Sequence, residues 1–255
     1  MSTERRCTLK IAKPFVFVRH PESEGNILSA DERALLSTPN HKFSCTQNGL
    51  EQARFVAEYI NDLREPLYPH WMNSFFQSTF KRSQEGVDIL LKNLKSDIQF
   101  DFEPAEITPI TDSRLDEKWD GIFHELTKAE IEGRYPEQIR LRKRSGYYHY
   151  RAPGGENCPD VEMRITSFVA EHLATPFGHA GYVCIVGHGR WFQIFQKLIH
   201  NLSVDEFLEH KKTVSNDNCA VTIYTLDNMG EGLESIPQSV VPWKGKIEAS
   251  SSDYA

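Results

Sequence analysis

Two apolar runs stand out along this chain, and each stops on a histidine. Phe15-Val16-Phe17-Val18 alternates aromatic and β-branched residues and predicts a short buried strand. It is followed by Arg19-His20-Pro21, and proline cannot donate a ladder hydrogen bond, so the strand should end there. Tyr182-Val183-Cys184-Ile185-Val186 predicts a second such strand, closing on Gly187-His188-Gly189. Elsewhere the period is helical. Residues 50–60 place apolar side chains at 53, 56, 57 and 60, one face of a helix. Residues 70–76 predict a strand, and a helix opening at Ser78 runs to residue 94 on Val87, Ile89, Leu90 and Leu91. Residues 98–110 predict two extended pieces broken by Pro104 and Pro109. Residues 126–150 predict helix and become strongly basic at Arg140, Arg142, Lys143 and Arg144. A turn at Pro153-Gly154-Gly155 leads into a helix over 160–173. Further helices are predicted over 191–199 and 204–209, with a last strand over 218–224. Residues 27–42 read as a loop with room for a helical turn.

The chain has 255 residues, enough for one large α/β domain with a substantial core. We expect a single domain over 1–243, a helical insertion at about 122–158 and a disordered tail over 244–255. The net charge of −7 argues against nonspecific nucleic-acid binding. An anionic substrate would need a local basic pocket working against that field. Five scattered cysteines without a Cys-x-x-Cys pair argue against a disulfide framework and against a zinc site. No stretch approaches a membrane span, and the basic start leads into too few apolar residues for a signal peptide. The expectation is a soluble cytoplasmic protein whose oligomeric state is not legible.

Arg19 and His20 at a strand end pair an always-charged fork with a titratable nucleophile, which suits phosphate. Taken alone they read more readily as two solvated polar residues at a strand end. The order Arg19-His20-x-x-Ser23-x-x-Asn26 resembles the signature of the histidine phosphatase superfamily, the phosphoglycerate mutase-like family, with Pro21 where its glycine usually stands. Four further segments carry the resemblance. Thr46-x-x-Gly49 precedes a helix; Arg82 follows the second strand; Glu117 and Gly121 follow Leu115; and His188-Gly189 closes the last motif. Pro153-x-Gly155-Glu156, then Asp160-Val161-x-x-Arg164, is also similar, with Asn157 in place of a serine.

The resemblance implies an α/β fold, a mostly parallel sheet with helices on both faces and a helical insertion on the pocket side. It implies His20 as nucleophile, Glu117 as general acid and His188 as the second catalytic histidine. Arg19, Arg82, Ser23, Asn26 and Gly189 would bind phosphate, with no metal and no other cofactor. A neutral imidazole attacks a phosphate dianion without charge repulsion, and the arginines stabilise the equatorial oxygens. The implied partner is a phosphorylated small molecule. A mutase of the same fold is the main alternative, but the aromatic Phe-x-Gly-Trp segment that mutases carry after the Asn26 position is missing: residues 27–44 contain no tryptophan. A non-catalytic phosphate-binding module is a further alternative, and it would need neither His20 nor Glu117.

Overall fold

The computed structural model describes residues 9–63, 72, 74–96, 103–124, 126–174, 182–214, 217–225 and 236–244. Its strands are β1 (Phe15–Arg19), β2 (Ser74–Gln77), β3 (Ile110–Thr111), β4 (Val183–Gly187) and β5 (Val221–Tyr224). Among the described residues they form one sheet in the order β3-β2-β4-β1-β5. The pairs β2–β3, β2–β4 and β1–β4 are parallel, and β5 runs antiparallel to β1. The sheet is therefore mostly parallel, as expected.

The period of two in β1 divides the core. Phe15 and Phe17 join Phe76 and Ile185 on one face, against α7 (Cys158–His172) and α8 (Gly189–Ile199). Val16 and Val18 join Phe75, Cys184 and Val186 on the other, against α3 (Gln47–Asp62) and α4 (Lys81–Asn93). Helices on both faces explain why residues 15–18 of β1 and 183–186 of β4 are apolar without a break.

The remaining helices are α1 (Glu24–Ile27), α2 (Ala30–Ala34), α5 (Lys128–Arg134), α6 (Pro136–His149) and α9 (Val204–Thr213). The helix expected over 126–150 is thus two. Thr127 caps the first in a reciprocal box with Glu130, and Pro136 opens the second, where its missing N–H costs nothing. A further break at Gly146 (φ +73°) precedes half-buried Tyr147 and buried Tyr148. The loop expected at 27–42 holds α2 and a 3₁₀ turn, Asn40–Lys42. Of the pieces expected over 98–110, a 3₁₀ turn Pro104–Glu106 and β3 are seen; residues 97–102 lie outside the described set, as do 64–71. Lys244, placed in the expected tail, is instead anchored in a helical turn by an ion pair of 2.9 Å to Asp217. Residues 245–255 lie outside the described set.

Candidate active site

Strand register brings the two histidines together. Arg19 pairs with Gly187 across β1 and β4, so His20 and His188 leave the sheet side by side. Their ring centroids are 5.1 Å apart, and both are buried. On the other side of β4, Gln77 pairs with Val186, and Ser78 follows. Its Oγ lies 2.7 Å from His188 Nε2 and accepts from the Phe80 N–H at 3.2 Å. His188 Nδ1 is buried with no partner among the described residues.

His20 is held in one tautomer. Its Nδ1 lies 2.8 Å from the Pro21 carbonyl. A carbonyl only accepts, so Nδ1 bears the hydrogen and Nε2 the lone pair. Arg82 Nε donates to that Nε2 at 3.3 Å. Asn218 secures the backbone, its Nδ2 donating to the His20 carbonyl at 2.9 Å. Burial, Arg82, His188 and Arg19 all hold the His20 pKa well below the ordinary imidazole value, so the ring is neutral. Pro21, which departs from the family pattern, is accommodated by Gly86 of α4: a Cβ there would meet Pro21 Cδ at 2.8 Å.

The cations converge on this pair. Arg82 is 5% exposed, and its Nη1 donates to Asn40 O at 2.9 Å and Oδ1 at 3.0 Å. Burial lowers its pKa to about 10, which leaves it charged at neutral pH. Arg19 Nε is buried without a partner among the described residues. Gly189 is the first residue of α8, directly after His188, where helix N–H groups are free. Ser23 and Asn26 are placed differently from each other. Ser23 is buried and donates through both N–H and Oγ to Asn26 Oδ1, at 3.0 Å each. Asn26 is exposed. Their mutual bonds shape the loop after His20.

Glu117 is held at the start of α8. Its Oε2 accepts from the Arg190 N–H at 3.3 Å, its Oε1 from the Lys118 N–H at 2.8 Å, and Arg190 Nε lies 3.7 Å from Oε1. Burial pushes the carboxyl up, but Arg190, the two N–H groups and Arg82 outweigh it, so the pKa falls below the ordinary value. Arg190 is itself gripped by Asp120 at 2.7 and 2.9 Å and by the Lys118 carbonyl at 3.0 Å. Asp116, the other neighbour of Glu117, is turned away: it accepts from Thr79 N–H and Oγ1 at 2.8–2.9 Å. Gly121 (φ +55°) lies against the Pro153-Gly154-Gly155 turn, where a Cβ would meet Pro153 O at 2.3 Å.

Sequence reasoning missed Ser78, Arg190, Asn218 and Asn40 as members of the site. Arg190 stood beside the His188 motif and could have been flagged as a charge there. Asn218 carries no local signal.

The sheet of this α/β protein thus ends in two buried neutral histidines, with arginines and one carboxylate around them. The profile of the histidine phosphatase superfamily (branch 1) matches residues 15–238, and the chain belongs to that superfamily. It is 27% identical over 208 residues to the phosphoglycerate mutase-like protein AT74 of Arabidopsis thaliana, covering 77% of this chain and 60% of that protein's length. Among solved structures, a mycobacterial glucosyl-3-phosphoglycerate phosphatase superposes with a TM-score of 0.59 at 21% identity, over 86% of this chain and 96% of that one. The α-ribazole phosphatase of Shigella flexneri gives 0.63 at 13% identity, over 89% and 94%. At these identities the likeness shows the fold. Among the described residues no helix is long and apolar enough to cross a membrane, and no three His, Cys, Asp or Glu side chains are grouped to hold a metal ion.

Proposed function

We propose that this chain hydrolyses phosphomonoesters of small molecules, without a metal, through a phosphohistidine on His20. The observation that supports it most directly is the bond from His20 Nδ1 to the Pro21 carbonyl, which leaves the Nε2 lone pair as nucleophile. The phosphate draws Arg82 off Nε2 and onto its oxygens, joined by Arg19 and His188. Each charge-assisted hydrogen bond contributes about 1.5–3 kcal/mol. His20 Nε2 forms a bond to phosphorus as the ester P–O bond breaks. The leaving oxygen takes a proton from Glu117, whose proton affinity rises when the dianion arrives beside it. Glu117 then accepts a proton from the water that attacks phosphohistidine, releasing inorganic phosphate.

His20→Ala should abolish turnover and leave the fold intact, and rapid-quench mass spectrometry of the wild type should find one alkali-stable phosphoryl group on His20. Near-wild-type turnover by the variant would overturn the covalent route. Activity should also survive EDTA; loss on chelation, restored by zinc or magnesium, would overturn the metal-independent step. The name of the Arabidopsis relative keeps a mutase as the second reading. A rate of 2- and 3-phosphoglycerate interconversion above the hydrolysis rate, with bisphosphoglycerate added, would favour it.

A further inference from the structure

Trp119 lies two residues beyond Glu117 and is 38% exposed. Its backbone is pinned from both sides by Glu156: the Trp119 N–H donates to Glu156 Oε2 at 3.0 Å, and the Glu156 N–H donates to the Trp119 carbonyl at 2.9 Å. Arg164 clamps Glu156 in turn, at 2.8 and 3.1 Å. An indole held on a fixed backbone and left open to water binds with little ordering cost.

The indole is also continuous with the phosphate pocket. Its ring lies 5.8 Å from Phe80, and Phe80 lies 4.8 Å from His188 with the Arg82 guanidinium over it at 4.6 Å. On its other side, His124 stands 5.8 Å away. A line of rings therefore runs from the histidine that faces His20 out to an exposed aromatic face. Glu117, the proton donor of the proposed reaction, lies two residues before Trp119, so a leaving group protonated there is within the same short segment as this face.

We propose that Trp119, backed by Phe80 and flanked by His124, is a subsite for a planar aromatic ring in the leaving group. The preferred substrates are then phosphomonoesters that carry such a ring close to the ester oxygen. This rests on the phosphatase reading above. Benzyl phosphate and cyclohexylmethyl phosphate test it, because both release alkoxides of similar basicity and differ in having a flat π face. The wild type should prefer benzyl phosphate by up to about tenfold in kcat/KM, the upper end of the worth of a ring–ring contact. Trp119→Ala should cut the benzyl arm about tenfold and the cyclohexylmethyl arm by less than about threefold. Trp119→Phe should restore most of the preference, which a merely structural role for the indole would not do.

Calorimetric titration with benzylphosphonate and cyclohexylmethylphosphonate reads the same preference without turnover. Turnover of both esters with equal kcat/KM would overturn the subsite and leave the phosphatase standing. Equal losses on both arms in Trp119→Ala would also overturn it. A benzylphosphonate preference that depends on Trp119, without hydrolysis of either ester, would support the subsite and overturn the phosphatase.

Discussion

Glu117 and Arg190 meet twice, once through the Arg190 backbone N–H at 3.3 Å and once through its guanidinium Nε at 3.7 Å. The guanidinium is in turn fixed by Asp120. Arg190 therefore both aims the carboxylate and keeps it ionised against the cost of burial.

Replacing Arg190 should move the titration of Glu117. Removal of the charge in Arg190→Met takes away the largest of the effects that oppose burial, so the folded pKa rises. A general acid must be protonated, so the basic limb of the kcat/KM profile should move to higher pH. Arg190→Lys should move it less, and Asp120→Asn should move it in the same direction as Met by loosening the grip on Arg190. An unmoved limb in Arg190→Met would show that Glu117 is not the group that titrates.

Gly86→Ala should be harmful, though an alanine inside a helix ordinarily stabilises by up to about 1 kcal/mol. The new Cβ would press on Pro21 Cδ and Cγ, whose ring cannot swing away. The Pro21 carbonyl would then shift from His20 Nδ1, and both stability and turnover should fall. Pro21→Gly in the same chain should relieve the clash. A Gly86→Ala enzyme with unchanged turnover and melting temperature would contradict this packing.

Stability should fall as pH drops from about 6.5 to about 4, partly through His200. Its Nε2 bonds the Tyr224 hydroxyl at 3.0 Å, its Nδ1 is buried without a partner among the described residues, and burial then neighbouring His210 lower its pKa to about 4. A histidine depressed in the fold takes its proton first in the unfolded chain. Its contribution is therefore intact above the ordinary value near 6.5 and lost by about 4, on the order of 2 kcal/mol. His20 and His188 act in the same direction, so the slope of melting temperature against pH should shrink, not vanish, in His200→Phe. An unchanged slope would show that His200 is not among the titrating groups.

The sequence discloses those parts of the site where chemistry coincides with a local stop in the pattern. Arg19-His20 and His188-Gly189 are legible because a strand period ends there. The proposed proton donor is legible through Glu117 and Gly121, and the structure adds the reason for the glycine, its close approach to Pro153. Ser78, Asn40 and Asn218 are illegible because tertiary pairing alone gives them a role. Asn218 reaches His20 only because β5 returns antiparallel beside β1, and an asparagine near a strand start has many uses. The break between α5 and α6 carries a local mark in Pro136, which opens a helix but cannot continue one. Pro21 could not be interpreted locally, since Gly86 that makes room for it lies on another helix.

The last prediction concerns the leaving group. A general acid matters in proportion to how basic the departing oxygen is. Alkyl phosphates expel an alkoxide and need the proton; p-nitrophenyl phosphate expels an acidic phenol and needs it much less. Glu117→Ala should therefore slow alkyl phosphate hydrolysis by roughly 10²–10⁴, the usual worth of a positioned acid. The aryl substrate should lose clearly less, provided burst kinetics show phosphorylation of His20 to be rate-limiting. His20→Ala should harm both alike, because the nucleophile is needed whatever leaves. Asp116→Ala should show no leaving-group dependence, since its carboxylate is spent on Thr79. Equal losses on the two substrate types in Glu117→Ala, with phosphorylation rate-limiting, would place the proton donor elsewhere in the pocket.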